Sequence, residues 1–184
     1  CFILGDVAHD IYCTTWGSLE QVADYDQPYI SKLTDVEIVY CADQKYLKRF
    51  NELRLKVQEQ LNLPFTMDDV IKAEKYLDDA SKKYVAVMTS DDPGICKYAS
   101  AGILYYLEFS ICMLNKTYFR RGVKRIPEEL NEMEKKPVNF MGYYQAVIQA
   151  SDIHEIRHSS TCLIKAVKEY FTDVKREFES QKNA

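Results

Sequence analysis

The stretch Leu104–Arg125, LYYLEFSICMLNKTYFRRGVKR, opens as a nearly unbroken apolar run and closes in a cluster of amide, ammonium, phenol and guanidinium groups. A helix that is apolar on most sides belongs inside a bundle, not on its surface. Counted from Tyr98, the residues Gly102, Tyr105, Phe109 and Cys112 share one helical face, and Ile103, Tyr106, Leu107, Ile111 and Leu114 cover much of the rest. Glu108 is the one charge inside the run, and a buried carboxylate needs a partner or a job. Asn115 follows two turns later on the same face and Tyr118 one turn beyond that, with Gly122 expected to stop the helix.

Two readings of this helix follow. In one, Glu108 bonds to a tyrosine inside the core and the basic end caps its own carbonyls. In the other, the helix walls a ligand site, with Glu108 and Asn115 inside and Lys116, Arg120, Arg121, Lys124 and Arg125 at its mouth. Five cations within ten residues suit an anionic ligand such as a nucleotide phosphate.

Around this helix the 184 residues are 47% hydrophobic and 28% charged, an ordinary globular balance. A net charge of −4 argues against a nucleic-acid-coating surface, because there is no basic excess. No apolar segment approaches the roughly 20 uninterrupted residues of a membrane span. Fourteen tyrosines suit wet pockets or interfaces, where one end of the ring is buried and the other meets something polar. Six cysteines without a CxxC pair read as reduced thiols of a cytoplasmic protein, and Cys13, Cys41 and Cys112 lie in apolar runs as small hydrophobes. His9, His154 and His158 are too scattered for zinc. The opening Cys1-Phe2-Ile3-Leu4 shows neither methionine nor signal pattern, and reads as a start inside a folded protein.

Residues 1–42 carry β signals. Val7–Trp16 reads as a strand, Ser18 as the cap of a short helix through Leu19, Val22 and Ala23, and Asp35–Cys41 (DVEIVYC) as a second strand. From Asp43 onward the pattern is helical. Helices are expected from Asp43 to about Leu61, from the Thr66/Asp69 capping pair through Val87, after Pro93, at Pro127-Glu128-Glu129, over Val138–Ala150 and over Asp152–Glu179. The expected fold class is therefore α+β, mostly α: a small β–α–β piece over 1–42, then an up-and-down helical bundle over 43–184.

This order resembles the nucleotidyltransferase superfamily, particularly its kanamycin-type and minimal bacterial branches. The stretches that carry the resemblance are His9-Asp10-Ile11-Tyr12, Tyr25–Tyr40 (YDQPYISKLTDVEIVY) and Leu114–Arg125 (LNKTYFRRGVKR). It implies a catalytic-domain end over 1–42 and a helical substrate-binding domain over 43–184. It also implies transfer of a nucleoside monophosphate from an NTP to a small-molecule or protein acceptor, with Mg2+ held by carboxylates. In one alignment Asp10 is the third metal carboxylate and the rest of the metal site precedes Cys1, so this chain alone would be inactive. In the other, Gly17-Ser18 is the phosphate turn and Asp35 with Glu37 the acidic pair, both on one strand face. The first is preferred, because the gap from Ser18 to Asp35 is long and no third acidic strand follows. Glu108 is the expected general base, and Asn115, Lys116, Tyr118, Lys124 and Arg125 are expected to face nucleotide or acceptor. The competing reading is a non-catalytic helical binding or dimerisation module of toxin–antitoxin type, for which a homodimer would be natural. Arg157-His158 lacks the arginine-to-histidine spacing of the ribonuclease partners of such systems.

Overall fold

The computed structural model describes residues 2–9 and 11–182. They divide into two compact units, residues 1–62 and 63–184.

In the first unit, β1 (Phe2–Leu4) and β2 (Val7–His9) form an antiparallel hairpin in the register Phe2↔His9, Ile3↔Ala8, Leu4↔Val7. Gly5, at φ +62°, takes the left-handed conformation that a two-residue hairpin turn requires. Three helices follow: α1 (Trp16–Ala23), α2 (Ser31–Thr34) and α3 (Gln44–Asn62). The core is small, formed by Leu19, Val22, Tyr25, Ile30, Leu33 and Val57.

This corrects four expectations. The strand expected over Val7–Trp16 ends at His9, and Trp16 already opens α1. Thr15, not Ser18, caps that helix, its Oγ1 accepting from the Ser18 amide at 3.1 Å. The stretch Val36–Cys41 pairs with nothing as a strand among the described residues, so the β–α–β arrangement is not formed by them. Its strand-forming side chains are left in solvent, Val39 at 92% and Tyr40 at 83% exposure. β propensity measures fit to a neighbouring strand, and here no neighbour supplies one. Cys13 is likewise exposed and Cys41 half-exposed, so neither acts as a core hydrophobe.

The second unit is helical throughout: α4 (Met67–Thr89), α5 (Pro93–Leu114), α6 (Ile126–Glu132), α7 (Phe140–Gln149) and α8 (Ile153–Lys182). α5 is the central helix that its composition demands, with Ile103, Leu107, Ile111, Cys112 and Met113 fully buried. α4 and α8 run antiparallel beside it, tied by Lys175 to Glu74 at 2.6 Å near one end and Arg157 to Ser90 O at 2.7 Å near the other. α8 buries Ile156, Ser160, Leu163, Ile164, Val167 and Phe171.

Local chemistry sets the helix ends. The Thr66 amide donates to Asp69 Oδ2 at 2.8 Å, the reciprocal half of the expected capping pair. Asp92 accepts from Gly94 N and Ile95 N at 2.7 and 3.1 Å, with Pro93 pre-set for the first turn. Lys97 donates to the carbonyls of Ile148 and Ala150 at the end of α7, where a cation meets unpaired acceptors. No helix among the described residues is long and apolar enough to cross a membrane.

Two outcomes check this packing. Asp69→Ala removes the acceptor of Thr66 and the counterion of Lys116, whose side chain is 11% exposed; it should lower unfolding stability by about 2 kcal/mol in a denaturant titration. Cys96 and Cys112 are buried, and burial pushes the Cys112 thiol well above its usual range. Site-mapped alkylation of the native protein should therefore modify Cys13 quickly, and Cys96 and Cys112 only after unfolding.

Candidate functional site

Gly122 does not stop α5: the helix ends at Leu114, and the cause lies in Asn115. Its side chain donates to Ile111 O and Lys135 O, each at 2.8 Å, and accepts from Lys135 N at 2.8 Å. One amide thus caps α5 and pairs both ways with the backbone of a segment twenty residues on. Lys116 then turns left-handed at φ +50°, with Thr117 N reaching Cys112 O at 3.3 Å and Lys116 N reaching Met113 O at 3.0 Å. These are the paired bonds of a Schellman ending, here with lysine where glycine is usual. Gly122, at φ +77°, instead serves the loop before a 3-10 turn at Val123–Arg125.

The loop after α5 borders a groove of about 460 Å³. Asn115, Tyr118, Arg120, Arg121 and Lys135 line it together with Glu129, Glu132 and Glu134. Of the residues expected to bind, Asn115 and Tyr118 are therefore at the groove. Lys116 stands beside it but is committed elsewhere, donating to Pro64 O at 3.0 Å and to Asp69 at 3.4 Å. Lys124 and Arg125 do not line it, and Arg125 is held by Glu128 at 2.6 Å. Glu108 does not line it either.

The acids of α6 neutralise much of the expected basic mouth. Glu132 takes Arg121 through both guanidinium nitrogens at 2.9 and 3.2 Å. Glu129 is buried and accepts the backbone amides of Arg120 and Arg121 at 2.9 and 2.8 Å. The Pro127-Glu128-Glu129 pattern announces a helix start; nothing local announces that Glu129 holds a distant loop. The other cations rest on rings, Arg120 over Tyr118 at 4.8 Å and Lys135 over Phe65 at 3.5 Å. Burial draws the Lys135 ammonium below its usual range.

Glu108 is 8% exposed in the bundle core and accepts the Tyr144 hydroxyl at 2.6 Å. Burial raises its carboxyl above the usual carboxylate range, and the bond from Tyr144 offsets part of the rise. Burial and the neighbouring carboxylate push the Tyr144 phenol up as well. Tyr144 lies 36 residues away on α7, beyond any local sequence pattern.

Asp10 lies outside the described residues. Asp35 ends α2, its amide donating to Ser31 O at 3.1 Å, and Glu37 lies on exposed chain, so neither sits on a strand facing a second acid among the described residues. Among the described residues no three His, Cys, Asp or Glu side chains could hold a metal ion. A magnesium pair needs two or three convergent carboxylates, and the described residues do not assemble such a set.

A carboxyl whose native pKa is raised costs stability as pH climbs past its unfolded value of about 4.5 toward its native one. Glu108→Gln keeps an acceptor for Tyr144 and removes that cost. Its melting temperature should match or exceed that of the wild type at neutral pH, with the gap closing as pH falls below about 4. Tyr144→Phe should lose about 1–3 kcal/mol at neutral pH, because the carboxylate then sits buried without its donor. Thermal melts between acid and neutral pH check both. No protein-family model matches this chain, and neither a curated protein nor a solved structure does.

Proposed function

We propose that residues 63–184 are the ligand-binding bundle of a nucleotidyltransferase-type protein, contributing recognition of nucleotide or acceptor. The observation that carries this is the groove at the end of α5, which gathers Asn115, Tyr118, Arg120, Arg121 and Lys135 around a volume suited to a nucleotide-sized molecule. The resemblance of the stretch from Leu114 to Arg125 to that superfamily supports the same assignment. Glu108, buried against Tyr144 and outside the groove, serves in this reading as half of a packing pair and not as the general base of the groove. No step is derived through magnesium, because the described residues do not assemble a donor set for it.

A second reading has its own support. The pairing of Arg121 with Glu132 and of Arg125 with Glu128 is what a solvated structural face would show, and it favours a non-catalytic interaction module. Melting curves separate the two. Millimolar nucleoside triphosphate should raise the melting temperature of the recognition bundle, by RT ln(1 + [L]/Kd) in free energy, so about 1.4 kcal/mol at tenfold saturation. An unmoved melt across the four common nucleoside triphosphates would sink the nucleotide-binding reading in favour of the interaction module.

A further inference from the structure

We propose that Arg120 and Lys135 form an anion subsite in the groove beyond α5, and that it takes the phosphoryl group of a small molecule. The inference rests on the groove being the ligand site of the preceding section, and narrows what that site takes.

Two of the cations at this end of α5 are already neutralised. Arg121 is held by Glu132 at 2.9 Å and Lys116 by Asp69 at 3.4 Å, and both pairs are fixed by further bonds. Arg120 and Lys135 line the same groove, and among the described residues neither has a carboxylate within ion-pair distance. Each is held by an aromatic face instead, the guanidinium over Tyr118 and the ammonium over Phe65. A ring positions a cation without using its N–H donors, since the attraction runs through the face. The Arg120 guanidinium, 4.8 Å from the Tyr118 ring centre, therefore keeps donors available for a tetrahedral oxyanion.

The acids nearby are largely committed as well. Glu129 lines the groove as well, but both its oxygens accept the backbone amides of Arg120 and Arg121. Glu132 is committed to Arg121. Glu134 is exposed and acts on Lys135 only through its field, as Asp69 does, while Lys116 opposes them. The order of neutralisation thus leaves Arg120 and Lys135 as the pair facing the groove with donors to offer. A dianionic phosphoryl group matches two monocations better than a carboxylate does, and bidentate recognition by arginine favours it further.

Titration of the full chain with inorganic pyrophosphate at low salt tests this, with nucleoside and nucleoside triphosphate in parallel. Saturable binding of pyrophosphate is expected, weakened about tenfold by Arg120→Gln and again by Lys135→Gln, which is one charge-assisted bond each. Arg125→Gln, outside the groove, should leave it unchanged, and Arg120→Lys should retain part of it. Circular dichroism confirms that each variant is folded. Absence of saturable pyrophosphate binding, or equal binding by wild type, Arg120→Gln and Lys135→Gln, overturns the subsite. If pyrophosphate binds in the expected pattern while no triphosphate moves the melt, the subsite stands and the nucleotide reading falls. If a triphosphate moves the melt equally in all variants, the nucleotide reading stands and the subsite falls.

Discussion

The second unit depends on one side-chain amide. Asn115 ends the most buried helix and, through the same group, pairs with both backbone polar atoms of Lys135. A buried helix terminus leaves carbonyls without partners unless something supplies donors. Here the donor is a residue whose other atoms fix a second segment, so the capping of α5 and the placement of the Lys135 segment are one event. The groove lies between these two consequences, with Asn115 and Lys135 both on its wall. Asparagine suits the task because it offers donors and an acceptor in one rigid plane.

The loop from Thr117 to Gly122 is then held from its other side. Glu129 spends a buried carboxylate on two successive backbone amides, which keeps the Arg120–Arg121 peptide next to α6. Such a use is costly in desolvation and repaid only by good geometry at both oxygens. It also explains why the basic cluster is less basic than its composition suggests. Acids of α6 meet Arg121 and Arg125, while Arg120 and Lys135 are left to aromatic surfaces.

Much of the helical frame could be read from neighbouring residues. Thr66 with Asp69, Asp92 with Pro93, and the apolar density of α5 are local statements, and each appears where short-range physics puts it. The misreadings share a cause. Val36–Cys41 has strand propensity but no strand beside it, and a strand without a partner is only extended chain. Gly122 is the local stop signal after α5, yet Asn115 ends the helix first, through bonds that run to Lys135, twenty residues away. Tyr144, the partner that Glu108 demanded, could be anticipated as a need but not as a residue, since it stands on another helix.

The same distinction separates the two faces of the candidate site. Glu108 and Tyr144 form a closed pair: the carboxylate has its donor, the phenol has its acceptor, and the exchange lies within the core. A closed pair contributes by restricting the packing of α5 on α7, and it has little left to offer a ligand unless the proton itself moves. The groove cations are the reverse. A ring face holds a charge in position without satisfying its hydrogen-bond donors, so Arg120 and Lys135 are both fixed and unsatisfied by other side-chain carboxylates. Preorganised donors of that kind lower the entropy and desolvation that binding must overcome. Chemistry in this bundle is therefore better sought where aromatic rings carry cations than where carboxylates already have.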